Sequence, residues 1–264
     1  MSRLVQIKLG GSLITDKSKP YTSRPEVIRR LAIEISQAQK ITGDQYILGN
    51  GAGSFAHTSA SRYDTANGFT TEEGKRGYCI VQFDATTLNH MCVKIFMEEG
   101  IDTISIPPSS IMTATSGKLD SIFVNSIQQL IQKNITPFVF GDAISDKVRG
   151  SVIFSCDQVM EYLSKNMKTK PSLILSVGDF PGVLDENNLL VKEIDLKKFD
   201  LLSKNGALKP PKTKDVTGGM KEKIRTLLTL AQIGIETVIL DGREEGNLFK
   251  ALTQSDTPGT KIIS

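Results

Sequence analysis

Short apolar runs alternate with amphipathic segments along the chain. The apolar runs have the length of strands and span residues 4–9, 45–48, 102–107, 137–140, 172–177 and 237–240. Capping residues and apolar positions at helical spacing predict helices over about residues 23–40, 77–98, 126–133, 155–163, 218–233 and 247–252. This alternation implies an α/β fold in which helices sandwich an open, mostly parallel sheet on both faces.

Four segments depart from that alternation. Residues 62–75 are polar and contain glycine, which predicts an exposed loop. Residues 109–123 show little periodicity and fit a loop or a short hairpin. Residues 143–154 alternate around 147–150, which predicts a hairpin. Residues 204–214 are basic and contain proline, so we expect a mobile segment there.

Length and composition limit the class of protein. A chain of 264 residues suits one large α/β domain or two lobes that share a sheet. Hydrophobic residues make up 39% and charged residues 23%, which is ordinary for a globular enzyme. The 32 basic and 29 acidic residues give a net charge of only +3, which does not favour nucleic-acid binding. Any basic site must therefore be local.

The spacing of the cysteines and the hydropathy of the chain indicate the cellular compartment. Cys79, Cys92 and Cys156 are widely spaced and form no CxxC pair, so neither a disulfide framework nor a zinc site is indicated. The amino terminus lacks the apolar core of a signal peptide, and no apolar run reaches membrane-spanning length. We expect a reduced, cytoplasmic protein without a membrane segment.

Two glycine loops follow the first two predicted strands. The first glycine loop (residues 8–12, KLGGS) contains Gly10 and Gly11, whose backbone can approach an anion closely, while Lys8, Ser12 and Lys17 supply charge and donors. We predict a second loop over residues 49–57 (GNGAGSFAH); its glycine-containing part, residues 49–53, is called the second glycine loop and has the spacing G-x-G-x-G. It lacks the last glycine of the dinucleotide fingerprint, and the chain contains no P-loop pattern, so neither a Rossmann dehydrogenase nor a Walker-type NTPase is supported.

The carboxyl ends of these strands predict a phosphate site. Ligands of open parallel sheets lie beyond those ends, where glycine loops and helix amino termini converge. The candidate groups are the two glycine loops, Asp142, Asp179, Gly218, Gly219, Lys8, Lys17, Lys221 and Lys223. The charged groups have ordinary alternatives: the lysines could be solvated, and Asp142 could cap a turn. Two further candidates have such alternatives as well, because Asp157 could cap a helix and His57 could be a packing residue. Lys8 is harder to dismiss because it interrupts a buried strand.

Several motifs together resemble one family. They are residues 8–12 with Asp16 and Lys17, residues 51–57 (GAGSFAH), Gly141 with Asp142, residues 106–110 (IPPSS), residues 215–220 (DVTGGM), and Gly259 with Thr260. In this order they resemble the amino acid kinase superfamily over essentially the whole chain, and within it isopentenyl phosphate kinases are most similar. Fosfomycin kinases resemble the same subgroup and share the histidine loop.

The resemblance implies transfer of the γ-phosphoryl group of ATP, with Mg²⁺, to a phosphate or phosphonate oxygen. It assigns Lys8, Lys17, His57, Asp157 and Lys223 to catalysis, with Asp157 orienting Lys8 and Lys223. It assigns the nucleotide to Lys8, Gly10, Gly11, Ser12, Asp179, Gly182, Gly218, Gly219, Lys221 and Lys223. It assigns the acceptor to Gly51, Ala52, Gly53, His57 and Cys156. No side chain is assigned to a metal, and a homodimer is the expected assembly.

The resemblance also divides the chain into an acceptor-binding and glycine-loop lobe, residues 1–168, and a nucleotide-binding lobe, residues 169–264, on one continuous sheet. Four positions depart from the family pattern: Asn50, Ala52, Cys156 and Pro181. Because several of them cluster at the acceptor side, two alternatives stay open. One is a kinase of another small phosphate or phosphonate such as fosfomycin, and the other is a non-catalytic nucleotide-binding member. We expect Cys156 either to narrow the acceptor site or to fill a small buried space.

Overall fold

The computed structural model describes residues 2–65, 68–208, 219–254 and 258–264. The strands in these ranges are β1 (Leu4–Leu9), β2 (Gln45–Asn50), β3 (Thr103–Ser105), β4 (Met112–Thr115), β5 (Lys118–Ile122), β6 (Thr136–Phe140), β7 (Asp142–Asp146), β8 (Gly150–Phe154), β9 (Leu173–Gly178), β10 (Glu193–Ile194), β11 (Glu236–Asp241) and β12 (Thr260–Ile262). The helices are α1 (Gly11–Ile14), α2 (Pro25–Thr42), α3 (Gly53–Arg62), α4 (Glu72–Glu98), α5 (Asn125–Gln132), α6 (Cys156–Asn166), α7 (Leu196–Lys204), α8 (Gly219–Ala231) and α9 (Asn247–Thr253).

The main sheet has eight strands in the order β10-β12-β11-β9-β1-β2-β6-β3. Every pair in it is parallel except β11 with β12, so the prediction of a mostly parallel α/β sheet is confirmed. Strand β1 lies in the middle and is buried along its whole length. In the register of β1 with its neighbours, Lys8 lies beside Gly49 of β2 and Ser176 of β9.

Helices cover both faces of the main sheet, as its alternating buried side chains require. On one face, alternate residues of β1 and β9 pack against α2, α4 and α9 in a cluster that includes Ile7, Leu31 and Phe96. On the other face, one cluster holds α5 and α6 and another holds α7 and α8. Burial on both faces explains why the central strands are continuous apolar runs. Among the described helices, none combines the length and hydropathy needed to span a bilayer.

A second sheet of four strands, ordered β5-β4-β7-β8, lies beside the main sheet. The antiparallel pair β7 and β8 confirms the hairpin predicted over residues 143–154. Residues 109–123 contain a 3-10 turn, Pro108–Ser110, followed by the antiparallel hairpin β4–β5, which was one of the two open alternatives.

Two sequence predictions about local structure were wrong, and further elements were missed. Residues 62–75 are not one loop, because α4 already begins at Glu72, where Thr71 caps the helix by accepting from the amide of Gly74. Residues 53–57, predicted as the end of the second loop, are the first residues of helix α3. The pattern also gave no sign of β10, α7 or β12. In the predicted mobile segment, residues beyond 208 lie outside the described ranges.

Candidate active site

A cavity of about 720 Å³ lies where β1, β2 and β9 end and where helices α3, α6 and α8 begin. Amino-terminal helix amides without helical acceptors favour bound anions. The lining residues are far apart in sequence: Lys8, residues 10–12, Lys17, residues 51–53, Ala56, His57, Ala60, Val81, residues 141–142, residues 153–158, residues 177–180, residues 219–220, Glu222, Lys223 and Thr226.

Two lysines share one carboxylate in the middle of this cavity. Lys8 donates from Nζ to Oδ2 of Asp157 at 2.6 Å. Lys223 donates to the same Oδ2 at 3.1 Å and to Ser176 Oγ at 3.0 Å. All three ionisable side chains are largely buried, with 11 to 16% of each exposed. Two cations on one anion leave a net positive charge that an anionic ligand can neutralise.

The charges of this cluster shift one another's pKa. Burial favours the neutral form of Asp157, but the charges of Lys223 and Lys8 outweigh it and hold the pKa of Asp157 below its ordinary range. Burial is the largest single effect on Lys8 and opposes its charge, yet the attraction of Asp157, the hydrogen bond to it and smaller contributions from neighbouring groups together outweigh burial and raise the pKa of Lys8. For Lys223, burial and repulsion by Lys8 prevail over Asp157 and lower the pKa to about 8.

The first glycine loop borders this cluster. The amide of Gly10 donates to Val177 O at 2.7 Å, which ties the loop to β9. Gly11 and Ser12 begin the short helix α1, so their amides lack helical acceptors. Ser12 Oγ donates to Asp179 Oδ1 at 2.9 Å, which joins the loop to the end of β9. Sequence reasoning had placed these groups at one site, and the structure brings them together.

The second glycine loop lies directly against the first. A Cβ on Gly11 would lie 2.5 Å from the nitrogen of Gly53, and one on Gly51 would lie 2.8 Å from the nitrogen of Gly11. Only glycine permits this approach of the two backbones. Asn50 is fully buried and accepts at Oδ1 from Asn89 Nδ2 at 2.9 Å, so it fastens the loop to α4.

The cavity beyond the second glycine loop has an apolar wall. His57, in the second turn of α3, lines the cavity, and Ala56 and Ala60 of the same helix line it with Val81 and Ile153. Asp142 also borders it and is 1% exposed. Burial raises the pKa of Asp142 to about 6, although its carboxylate accepts backbone hydrogen bonds from Ser109 and Ala143.

Cys156 begins α6 and lines the cavity, but its thiol packs inward. Its Sγ lies 2.7 Å from the position that a Cβ on Gly49 would occupy, and Met160 Cε packs at the same position. The residue is 1% exposed and belongs to the hydrophobic cluster under α6. Burial raises the pKa of the Cys156 thiol to about 12. This geometry favours the packing alternative for Cys156 over a narrowed acceptor site.

The remaining predicted residues separate into three groups. Lys17 is exposed at the rim and lines the cavity, and Gly219 lines it at the start of α8. Lys221 is exposed on α8 and is not among the lining residues, and Gly182 packs against Leu190 and Thr260 instead of facing the cavity. Gly218 lies outside the described residues.

Comparisons with known proteins agree with this geometry. A sequence profile described as the Amino acid kinase family matches residues 3–241. The chain belongs to the amino acid kinase family. It is 31% identical to the isopentenyl phosphate kinase of Methanothermobacter thermautotrophicus and 31% identical to that of Methanocaldococcus jannaschii, with 98% of each chain covered in both cases. An X-ray structure of an isopentenyl phosphate kinase superposes with a TM-score of 0.82 at 26% identity, over 98% of this chain and 100% of that one.

Membership of the amino acid kinase family confirms the resemblance drawn from the motifs. Sequence reasoning nevertheless missed two residues of the site. Ser176 supports Lys223, and its signal was a polar residue inside the buried run 172–177, in register with Lys8. Thr15 is fully buried and bonds to Gly11 of the first glycine loop and to Ser54, directly after the second, and no local pattern distinguished it.

Proposed function

We propose that this protein is an ATP-dependent isopentenyl phosphate kinase, which transfers the γ-phosphoryl group of ATP to isopentenyl phosphate and forms isopentenyl diphosphate. The observation that carries the proposal is the cluster in which Lys8 and Lys223 share Asp157, between two glycine loops in direct contact. Such a cluster neutralises charge on a phosphoryl group that moves between two bound anions. The named relatives point to the acceptor.

In this reaction an oxygen of the acceptor phosphate attacks the γ-phosphorus, the bond from that phosphorus to the bridging oxygen of ADP breaks, and ADP leaves. Lys8 contacts the moving phosphoryl group and Lys223 the nucleotide phosphates, while Asp157 holds both lysines in place. The amides of the first glycine loop surround the same group, and Lys17 assists from the rim. No covalent intermediate and no general base are required, because the attacking oxygen is already anionic.

The acceptor occupies the side of the cavity formed by residues 51–53 and His57. The second glycine loop and His57 bind its phosphate. The apolar wall of Ala56, Ala60, Val81 and Ile153 contacts its hydrocarbon tail, which offers no hydrogen-bonding group. The nucleotide occupies the opposite side, against Asp179, Gly219 and Lys223. We accordingly assign residues 1–168 to a lobe that binds the acceptor and carries both glycine loops, and residues 169–264 to the nucleotide-binding lobe.

The nucleotide side of this site would accept a Mg²⁺ ion that accompanies ATP. Magnesium prefers oxygen ligands and is commonly held by substrate phosphates with one or two carboxylates. Within the described ranges, no group of three or more His, Cys, Asp or Glu side chains is arranged to hold a metal ion. Asp179, bonded to Ser12, is a carboxylate on the nucleotide side of the cavity, so these residues suit an ion that the nucleotide brings. When bound, the ion neutralises charge on the β- and γ-phosphates.

The assembly that fits the surface is a homodimer. Strand β3 ends the main sheet, and its outer edge has no partner among the described strands. An edge of this kind can pair with its own copy across a two-fold axis. Large apolar side chains are exposed nearby in sequence, at Phe83, Met91, Met97 and Ile104. Sedimentation equilibrium tests this: Met97→Glu should shift the protein toward monomers, whereas the same change at exposed Leu189 should not.

An acceptor panel tests the activity. Purified protein with ATP and Mg²⁺ is offered isopentenyl phosphate, shorter alkyl phosphates and fosfomycin, and ³¹P NMR identifies a new phosphoanhydride. We expect the highest kcat/KM for isopentenyl phosphate. A higher value for fosfomycin would assign the protein to phosphonates, and ATP binding without transfer to any acceptor would indicate a non-catalytic member.

A further inference from the structure

Thr15 joins the two glycine loops through a single hydroxyl group. Its Oγ1 donates to Gly11 O at 2.6 Å and accepts from the amide of Ser54 at 2.9 Å. Gly11 belongs to the loop on the nucleotide side, and Ser54 follows the loop on the acceptor side. The side chain is 0% exposed, so water cannot replace either hydrogen bond.

The amide of Ser54 needs this partner. Ser54 lies in the first turn of α3, where amides have no acceptor within the helix. The residue before the helix is Ala52, which makes no side-chain cap. Thr15, 39 residues earlier in the chain, therefore supplies the cap that Ala52 cannot. Helix α3 also carries His57, so the cap fixes the helix on which His57 lies.

The residues around Thr15 pack closely against it. A Cβ on Gly53, which has a φ of +54°, would lie 2.5 Å from both Oγ1 and Cγ2 of Thr15. The amide of Thr15 donates to the same Gly11 oxygen at 3.0 Å, and Thr15 forms a β-bridge with Ser23. The hydroxyl is thus held between the two loops at the point where their backbones touch.

We propose that Thr15 is a positioning residue that sets the separation between the phosphoryl group to be transferred and the acceptor phosphate. The inference rests on the proposed function, because the two glycine loops hold the two reacting groups. A displacement of about 1 Å between reacting atoms can lower a rate roughly 100-fold without weakening either ligand alone. Thr15 touches neither ligand and acts through the loops.

The test compares Thr15→Val, which keeps the shape and removes both hydrogen bonds, with Thr15→Ser, which keeps the hydroxyl. We expect Thr15→Val to lower kcat roughly 10- to 100-fold, with the KM values for ATP and isopentenyl phosphate changed less than about twofold. Thr15→Ser should recover kcat to within about threefold of the unmodified protein. If Thr15→Val does not fold, Thr15→Ala removes the same bonds with less bulk.

The affinity for a bisubstrate inhibitor distinguishes positioning from a general structural role, because general destabilisation would not selectively weaken the binding of that inhibitor. Adenosine joined to isopentenyl alcohol through a polyphosphate chain of fixed length spans both loops. We expect Thr15→Val to weaken the binding of this inhibitor roughly tenfold or more. The reason is that an inhibitor of fixed length fits both loops only when they have the correct separation. The separate affinities for ADP and isopentenyl phosphate should stay within about twofold.

Thr260→Val is the matched control. Thr260 is also fully buried, and its hydroxyl likewise accepts from an amide, that of Val183 at 2.8 Å, and donates to a carbonyl, that of Val191 at 2.7 Å. It joins segments outside the two glycine loops. We expect a loss of thermal stability like that of Thr15→Val, without loss of bisubstrate affinity.

The outcomes separate the inference from the function. Three results would each overturn the positioning role. The first is an unchanged kcat in Thr15→Val, and the second is a kcat of Thr15→Ser as low as that of Thr15→Val. The third is an equal loss of affinity for ADP, for the acceptor and for the bisubstrate inhibitor. Failure of the unmodified protein to phosphorylate any acceptor would instead overturn the proposed function.

Discussion

Lys8 and Lys223 donate to one and the same atom, Oδ2 of Asp157, at 2.6 and 3.1 Å. Lys8 comes from the central strand and Lys223 from the first turns of α8, so the carboxylate on α6 joins three elements of the fold. Burial makes the arrangement costly unless the three charges stay together. The cluster is therefore expected to respond as a unit to mutation and to pH.

The first prediction concerns that unit. Lys8→Ala removes a cation from the moving phosphoryl group, and Asp157→Asn releases both lysines, so each should lower kcat roughly 100-fold or more. Because the groups act together, the double variant should lose much less than the product of the two single losses. Steady-state kinetics measures this, with circular dichroism to confirm folding.

Glu161→Gln is the control for Asp157→Asn. Glu161 lies on the same helix and pairs with Lys165 at 2.5 Å, away from the cavity lining. Its kcat should be unchanged. Strict multiplication of the losses in the Lys8→Ala, Asp157→Asn double variant would refute a shared cluster.

The second prediction concerns pH. The pKa of Lys223 is lowered to about 8, so in the free protein this side chain is charged below pH 8 and becomes neutral above it. Binding of ATP phosphates favours the charged form. The affinity for ATP should therefore be constant from pH 6.5 to 7.5 and fall above pH 8, by up to about tenfold per pH unit for one proton. Calorimetric titration measures it.

Lys223→Arg provides the comparison, because a guanidinium keeps its charge throughout this pH range. Its ATP affinity, although changed by the different geometry, should not fall between pH 8 and 9.5. The same pH dependence in Lys223→Arg would assign the titration to another group.

The third prediction concerns His57. If His57 donates to the acceptor phosphate, His57→Ala should lower kcat/KM for isopentenyl phosphate roughly 100-fold, the scale for loss of one preorganised donor, and should leave ATP binding nearly unchanged. The matched control is His90→Ala, because His90 is exposed on α4 and lies outside this cavity. Unaltered kcat/KM in His57→Ala would assign His57 to packing.

The fourth prediction concerns Cys156. Its thiol packs on Gly49 beside Met160, so Cys156→Gly should lower the free energy of unfolding by about 1–2 kcal/mol through the cavity it leaves. The order of kcat/KM among isopentenyl phosphate, shorter alkyl phosphates and fosfomycin should stay the same. A changed order would restore the idea that Cys156 shapes the acceptor site.

Thiol labelling gives independent support for that assignment. Burial raises the pKa of Cys156 and of Cys92 to about 12, whereas Cys79 is exposed. Ellman's reagent should modify one thiol rapidly and the other two only on unfolding. Rapid modification of Cys156 would show that its sulfur faces the cavity.

Patterns in the sequence were sufficient for six of the eight strands of the main sheet and for most of the candidate site. Lys8 stood out because a lysine inside a buried apolar run needs a partner. Gly10 and Gly11 of the same loop indicated a close backbone approach. The spacing around Ser155 likewise predicted the start of α6, where the structure has a capping box with Gln158. These signals are local, so a single segment carries each of them.

Local signals failed where neighbours in space decided the structure. Residues 53–57 of helix α3 were predicted as part of a loop, and the helix is capped by Thr15, 39 residues away from Ser54. Lys221 looked like a phosphate ligand as much as Lys223, but only one of them is on the side of α8 that faces the cavity. Gly182 resembled a nucleotide contact, yet β12 packs against it.

The sequence by itself determined the α/β fold, the two glycine loops and the presence of Lys8, His57, Asp157 and Lys223, because apolar period, glycine spacing and charge in a buried run are written along the chain. Only the tertiary structure decided that Lys223 and Lys8 share Asp157, that Ser176 supports Lys223, and that Thr15 joins the loops. The physical reason is that these bonds link residues 39 to 149 positions apart. Packing of the central strands and helices, rather than any local pattern, sets those distances.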